Sequence, residues 1–347
     1  MDDSPRTVFR LWGAYEPTPL RTLPRLAAHC RVARVYVKDE SRRPLGSFKS
    51  LGGMYAGLRA LARAAEASSI AALVAEQRTN ASLPRLICAS DGNHGLAVAA
   101  AARLAGSSAR VYLHQHVPQS RARRIAAQGA EINWVNGTYD DSVDAALAAA
   151  QRGAGLLISD TSARADDPVV ADVMQGYALM ADEIVEQLTA AGSEPPTHLF
   201  VQAGVGGLAA ALAQGLCVTN ALPVRIVAVE PEQVACVGHA LRAGRIERIP
   251  GDLQTAAEML SCGEASAPAM EILRRVGVDA MAVSEAQLME AVQVLADGDG
   301  PATTPSGATG LAGLLTALPG SSLASVLNVN EASRILLIVS EGVVDET

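Results

Sequence analysis

Lysine is almost missing from this sequence. Of its 28 basic residues, only Lys38 and Lys49 are lysines and the rest are arginines. An arginine guanidinium does not deprotonate in proteins and cannot replace an amine nucleophile, so any chemistry that needs a lysine amine has two candidates. No run of about 18 bulky apolar residues occurs, which excludes a transmembrane helix. There is no Lys/Arg stripe and no basic tail. With a net charge of −8 and both signs spread along the chain, nucleic acid is excluded as a partner, and no membrane partner is expected. The first residues, MDDSPRTVFR, are acidic at their start and lack an apolar h-region, so no secretory signal is read and the cytoplasm is the expected compartment. The five cysteines, Cys30, Cys88, Cys217, Cys236 and Cys262, are odd in number and form no CxxC pair. They read as reduced, mostly buried thiols and not as a disulfide framework.

What is present is the composition of a soluble globular protein, 49% hydrophobic and 18% charged, with Gly 30 and Pro 17. A chain of 347 residues is long enough for two domains, because single cores rarely grow past roughly 250–300 residues. Short apolar runs alternate with Ala/Leu-rich helical stretches, the mark of an α/β fold with largely parallel sheets. Strands are predicted at 34–38, 85–89, 110–114, 131–135, 156–159, 198–202, 225–229 and 335–339. Helices are predicted at 49–65, 93–104, 119–128, 141–151, 167–189, 208–215 and 284–295, and 303–313 reads as a Gly/Thr/Ser-rich loop entering a helix. Polar or Gly-rich loops thus fall at strand ends or helix starts around Lys49, 91–95, 203–207 and 340–342. In open α/β sheets a ligand lies beyond the carboxyl ends of the strands, so these loops are expected to converge on one cleft between two domains.

Three of these loops carry chemistry, each beside a plainer alternative. RPLGSFKSLGG places Lys49 after a turn at a helix start, where the positive end of the helix dipole lowers an amine's pKa, as a Schiff-base lysine requires. A solvated surface lysine is the other reading. Lys38, beside Asp39 and Glu40, reads as a paired charge. SDGNHG at 90–95 offers a carboxylate, an amide that can meet a phenolate oxygen, and an imidazole. It equally suits a turn capping the next helix. In LFVQAGVGGLAAAL, Gly204, Gly206 and Gly207 let backbone N–H groups wrap a phosphate at a helix start, although a tight strand–helix turn explains them too. His114 and His116 share one strand face but have no third ligand at metal spacing, so no metal site is expected. Ser306 in PSGATG lacks a GxSxG setting and is read as part of a ligand-lining loop. Asp166, Asp167 and Asp172 decorate a helix start, and Cys262 is read as a structural cysteine.

Taken together, SFK at 47–49, SDGNHG at 90–95, AGVGG at 203–207 and SEG at 340–342 resemble the fold-type II pyridoxal phosphate (PLP) enzymes, the tryptophan synthase β-subunit-like family, in order and spacing across nearly the whole chain. The resemblance implies two open, largely parallel-sheet α/β domains with PLP in the cleft between them: a smaller domain at 85–185, and a larger PLP-binding domain from 1–84 plus 186–347. It implies that Lys49 carries PLP as a Schiff base and that Asn93 lies beside the 3′-oxygen. Gly204, Val205, Gly206 and Gly207 then cup the phosphate, and Ser340 meets the pyridine nitrogen. A neutral partner there favours β-elimination or replacement over transamination.

Within that superfamily the likeness is greatest to the diaminopropionate ammonia-lyases, through VKDES at 37–41, SDGNHG, SDTS with MQGYALMADEI at 159–184, and LQTAAEMLSCGE at 253–264. By this resemblance Asp91 is the base for the D-isomer and Asp160 the base for the L-isomer. Each takes the Cα proton while PLP holds the carbanion, and loss of the β-amino group leads to pyruvate and a second ammonia. A homodimer is likewise implied. The sequence departs from the family at Leu45–Ser47, at 163–167 (Ala-Arg-Ala-Asp-Asp before Pro168) and in its shorter length. The departures at 163–167 keep open a PLP-dependent dehydratase or lyase for serine, threonine or 3-hydroxyaspartate, with Arg164 either meeting an extra carboxylate or, more plainly, being a surface arginine. A non-catalytic ligand-binding relative that kept the fold is a separate alternative of another class.

Overall fold

A computed structural model describes residues 3–13, 15–76, 83–90 and 92–343. Ten strands are found among them: β1 (Leu20–Thr22), β2 (Arg34–Asp39), β3 (Leu86–Ala89), β4 (Ala109–His114), β5 (Glu131–Val135), β6 (Leu156–Leu157), β7 (His198–Gln202), β8 (Arg225–Pro231), β9 (Asp279–Val283) and β10 (Arg334–Val339). They form two sheets, a four-stranded one in the order β5-β4-β3-β6 and a six-stranded one in the order β1-β2-β10-β7-β8-β9. All pairs are parallel except β1 with β2. The α/β class with parallel-dominated sheets expected from the alternating pattern is therefore what the chain adopts.

The chain divides into two compact units, one holding the described residues of Met1–Glu16 and Lys49–Leu179, the other those of Pro17–Phe48 and Met180–Val344. The expected smaller domain, 85–185, covers the four-stranded sheet, but the first unit reaches back to Lys49. The reason is packing of small residues. Helix Lys49–Ala64 lies so close to helix Asn93–Leu104 that a Cβ at Gly53 would stand 2.6 Å from the Ala97 Cβ, and one at Gly57 2.9 Å from the Ala101 Cβ.

In the second unit the sheet interior alternates as a two-residue period demands. Val35 and Val37 of β2, Ile335, Leu337 and Val339 of β10, Phe200 of β7 and Val227 and Val229 of β8 share one core. Opposite them lie Leu26 and Cys30 of helix Pro24–Cys30, Leu288 and Leu295 of helix Glu285–Asp297, and Leu311 of helix Pro305–Thr316. Each such buried aliphatic contributes roughly 1.5–3 kcal/mol.

Two sequence expectations need correction. The stretch 303–313 is not a loop but mostly helix, Pro305–Thr316, because Thr304 caps it by accepting from the Gly307 N–H and proline suits its first turn. Its glycines serve close packing on the sheet: a Cβ at Gly310 would lie 2.5 Å from the Phe200 carbonyl oxygen. His114 and His116 do not share a strand face, since β4 ends at His114. The short edge strand β1 and strand β9 carry no clear alternation and were legible only in the fold.

Candidate functional site

In the second unit, the residues that lead to Lys49 are stitched to the end of β10. The Phe48 N–H donates to the Ser340 carbonyl at 3.0 Å, the Gly342 N–H donates to that of Gly46 at 3.0 Å, and Ser47 and Glu341 form an antiparallel bridge. To make this approach the backbone takes left-handed conformations at Leu45 (φ 70°) and Gly46 (φ 82°) in succession. The SFK and SEG segments, almost 300 residues apart in sequence, are thereby one structural feature. Lys49 itself opens helix Lys49–Ala64 with its side chain 21% exposed.

Lys38 stands in contrast. Its side chain is fully buried and pairs with Glu183 at 2.6 Å, and it also donates to the Thr18 carbonyl and the Gln187 amide oxygen. It is a paired charge, as expected, although its partner is Glu183 and not the adjacent Asp39 or Glu40; Glu40 pairs with Arg43. Of the two lysines, Lys49 alone is accessible.

In the first unit Lys49 meets Asp160. The parallel pairing of β3 with β6 brings the carboxyl ends of these two strands side by side, so the helix that follows β3, with His94 in its first turn, and Asp160 emerge as neighbours. Asp160 Oδ2 accepts from the Lys49 ammonium, and Oδ1 accepts from the Tyr139 hydroxyl at 3.2 Å. Burial alone would raise the Asp160 pKa. The Lys49 charge and the hydrogen bonds from Lys49 and Tyr139 overcome it and hold the carboxyl well below the usual carboxylate range. Asp160 is thus a buried, ionised carboxylate at neutral pH. His94 supports the same strand end: its Nε2 lies 2.8 Å from the Ile158 carbonyl, which makes Nε2 the protonated nitrogen, and burial holds the ring neutral by lowering its pKa. Tyr177 is buried nearby, its hydroxyl pKa pushed up by burial, with Lys49 opposing.

Asn93 is the first residue of helix Asn93–Leu104 and is half-buried. The cap position before it is Gly92, which has no side-chain acceptor. Ser90 Oγ takes that part, accepting from the N–H groups of Gly92 and Gly95 at 2.8 Å each. Asp91 lies outside the described residues. Tyr139 was not singled out from sequence; it is the first residue of helix Tyr139–Gln151, which Thr138 caps, and its burial is visible only in the fold.

The glycine turn and Ser340 belong to the second unit, at the carboxyl ends of the adjacent parallel strands β7 and β10. Gly206 has φ 96° and caps helix Gly207–Ala213 without any side-chain hydrogen bond. A Cβ at Gly206 would press on Val237, Leu273 and Ala269 at 3.2–3.4 Å, so both conformation and space require glycine here. Within this unit, a glycine turn opening a helix and a buried neutral hydroxyl in Ser340 fit the phosphate and the ring nitrogen of a phosphorylated pyridine; Lys49, in the first unit, is a primary amine of the kind that bonds an aldehyde.

The plainer features resolve individually. Arg164 is exposed and pairs with Asp166 at 3.1 Å. Asp167 Oδ1 accepts from the Val169 and Val170 N–H groups at the start of helix Pro168–Ala190, and Asp172 pairs with Arg59 and Arg63. Ser306 Oγ accepts from the Met259 N–H, and Cys262 is buried. No group of three or more metal-ligating side chains occurs among the described residues, and no helix among them is long and apolar enough to cross a membrane.

The sequence profile of the pyridoxal-phosphate dependent enzymes matches residues 11–341. A diaminopropionate ammonia-lyase of Escherichia coli (strain K12) is 34% identical over 345 residues, covering 96% of this chain and 86% of the relative. The crystal structure of the Escherichia coli diaminopropionate ammonia-lyase in complex with an aminoacrylate-PLP azomethine reaction intermediate superposes with a TM-score of 0.86 at 30% identity, over 99% of this chain and 88% of that one. The same enzyme in complex with D-serine gives a TM-score of 0.88 at 30% identity, with the same coverage of both chains.

Proposed function

The chain belongs to the pyridoxal-phosphate dependent enzymes, and from that premise we propose that it is an ammonia-lyase that eliminates ammonia from 2,3-diaminopropionate. Diaminopropionate and one water become pyruvate and two molecules of ammonia. Pyridoxal phosphate, when bound, supplies the electron sink that makes loss of the Cα proton accessible. Lys49 is the residue that holds it covalently, the turn at Gly204, Val205, Gly206 and Gly207 receives its phosphate, Asn93 orients its ring oxygen and Ser340 faces its ring nitrogen.

The observation that carries the reading is Asp160: a buried carboxylate, ionised, anchored by Tyr139 and in contact with Lys49. An ionised carboxylate at that place is a base for the Cα proton of the L-isomer. Asp91, the other carboxylate of this scheme, serves the D-isomer. Tyr139 fixes the orientation of the Asp160 carboxylate, and its basicity rises once the Lys49 ammonium no longer faces it, because that charge is the largest influence holding its pKa down. The protein acts in the cytoplasm as a homodimer on a small amino acid, with neither nucleic acid nor membrane as a partner.

Purified protein incubated with D- and L-2,3-diaminopropionate should release pyruvate from both. No pyruvate from either isomer overturns the substrate assignment. A second reading, a dehydratase or lyase for a 3-hydroxy amino acid, is favoured by the D-serine complex of the Escherichia coli relative and by the altered segment 163–167. A panel of serine, threonine and 3-hydroxyaspartate separates the two by relative kcat/KM. A protein that stays colourless with the cofactor, and is unchanged by borohydride, would instead be a binding relative without catalysis.

A further inference from the structure

Strand β8 carries a carboxylate that the reaction does not use. Glu230 is completely buried, and its two oxygens accept from the backbone N–H groups of Val237 and Gly238, each at 2.7 Å. These N–H groups open helix Cys236–Ala243, whose cap position is Ala235, a residue without a side-chain acceptor. Helix starts ordinarily draw that acceptor from Ser, Thr, Asp or Asn at the cap. Here it comes from the neighbouring strand. Gly238 is fitted to the arrangement, since a Cβ there would lie 3.0 Å from Glu230 Oε2 and 3.2 Å from Arg242 Nη1.

The helix that Glu230 holds is the wall behind the glycine turn. Cys236 Sγ donates to the Gly204 carbonyl at 3.3 Å, and Val237 Cγ2 stands 3.2 Å from where a Gly206 Cβ would be. The turn is tied to the same strand, as the Ala203 N–H donates to the Val229 carbonyl at 2.9 Å. Glu230, one residue on from Val229, therefore draws the helix and the turn onto one strand end. Burying a carboxylate is costly, and a hydrophobic residue would fill the space without that cost but leave the two N–H groups unmet.

We propose that Glu230 is a positioning residue for the phosphate-binding turn: by clamping the Val237 and Gly238 N–H groups it fixes helix Cys236–Ala243 against Gly204 and Gly206, and so sets the shape of the turn that receives an anionic phosphate. This rests on the reading of the turn at 204–207 as the cofactor's phosphate site. Glu230 touches neither substrate nor cofactor in this scheme; it acts through the helix.

The test uses the full-length protein stripped of cofactor and titrated separately with pyridoxal phosphate and with pyridoxal, which lacks the phosphate, following the visible absorption band. Wild type should bind pyridoxal phosphate far more tightly than pyridoxal. Measured above pH about 8, where the carboxyl is ionised and both oxygens accept, Glu230→Gln keeps the volume and loses one of the two acceptors, and it should weaken pyridoxal phosphate by about tenfold while leaving pyridoxal within about twofold. Gly238→Ala, which presses on Oε2 from the other side, should show the same phosphate-selective loss and serves if the glutamine variant does not fold. Unchanged pyridoxal phosphate affinity, or equal weakening of both ligands, overturns the role of Glu230. If wild type shows no preference for the phosphorylated ligand, the reading of the turn itself fails.

Discussion

The Lys49 ammonium donates to Oδ2 of Asp160, a carboxylate 111 residues downstream whose other oxygen is held by Tyr139. Each partner makes the other possible: a buried carboxylate stays ionised because an ammonium stands beside it, and a lysine at a helix start stays oriented because a carboxylate receives it. The pair places the more accessible of the two lysine amines and an ionised carboxylate in a single contact.

Replacing Lys49 with Met should abolish the visible absorption of the cofactor-loaded protein. It also removes the main counter-charge of Asp160, so thermal stability should fall by about 3 kcal/mol, the cost of an unpaired buried charge. Lys38→Met should also lower the melting temperature, because Glu183 loses a partner, but retain the absorption band. Loss of the band in the Lys38 variant would contradict the assignment.

Asp160→Asn should reduce kcat/KM for L-diaminopropionate by at least about a hundredfold and leave the D-isomer within a few-fold. Asp91→Asn should do the reverse. Equal losses on both isomers in each variant would sink the two-base scheme.

Gly53→Ala should destabilise the protein by about 1–3 kcal/mol by overpacking, since its methyl group would stand 2.6 Å from the Ala97 Cβ. Ala97→Gly in the same chain should recover most of the loss. Gly53 lies one turn from Lys49 on the same helix, so activity should fall and recover with stability. Chemical denaturation of the single and double variants measures this coupling.

Leu45 is held in the left-handed region at φ 70°, where a leucine pays for the clash of its Cβ with the backbone. Leu45→Asn, a residue more tolerant of that conformation, should stabilise the protein by about 0.5 kcal/mol. A lower urea midpoint for this variant would show that packing of the leucine side chain outweighs the strain.

Burial pushes the Glu230 carboxyl up to about 8 against the pull of the Gly238 and Val237 N–H groups and of Arg242. Between the ordinary glutamate range and that value the folded chain binds the proton more tightly than the unfolded chain does. Glu230 therefore costs stability progressively as pH rises through this window and nothing below it. Glu230→Gln has no such titration, so the stability of wild type relative to the variant should fall by up to about 4–5 kcal/mol as pH is raised from about 4 to about 8. A pH-independent difference in urea midpoint would contradict it.

Much of the fold was legible locally. Helix Asn93–Leu104 and strands Glu131–Val135 and His198–Gln202 have the bounds their sequences predict, because Ala-rich runs favour helix and β-branched and aromatic runs favour strand. Misreading came where a residue type had two uses. The glycines of 303–313 look like a loop and are close-packing positions in a helix, a distinction made only by the sheet lying against them. Lys38 looked paired with its sequence neighbours, yet its carboxylate comes from Glu183. Tyr139 and the clamp of Glu230 left no local mark, since a hydrogen bond across a fold has no period.

The scarcity of lysine and its position after a turn made Lys49 one of two candidates from the sequence alone, and the SFK, SDGNHG, AGVGG and SEG segments identified the kind of enzyme it serves. Which lysine is accessible, which carboxylate meets it and what braces the glycine turn were decided only by tertiary structure. Those facts depend on strand order, with β3 beside β6 and β10 beside β7. Strand order is set by the packing of whole sheets and helices, in which each local pattern is satisfied equally well by several arrangements.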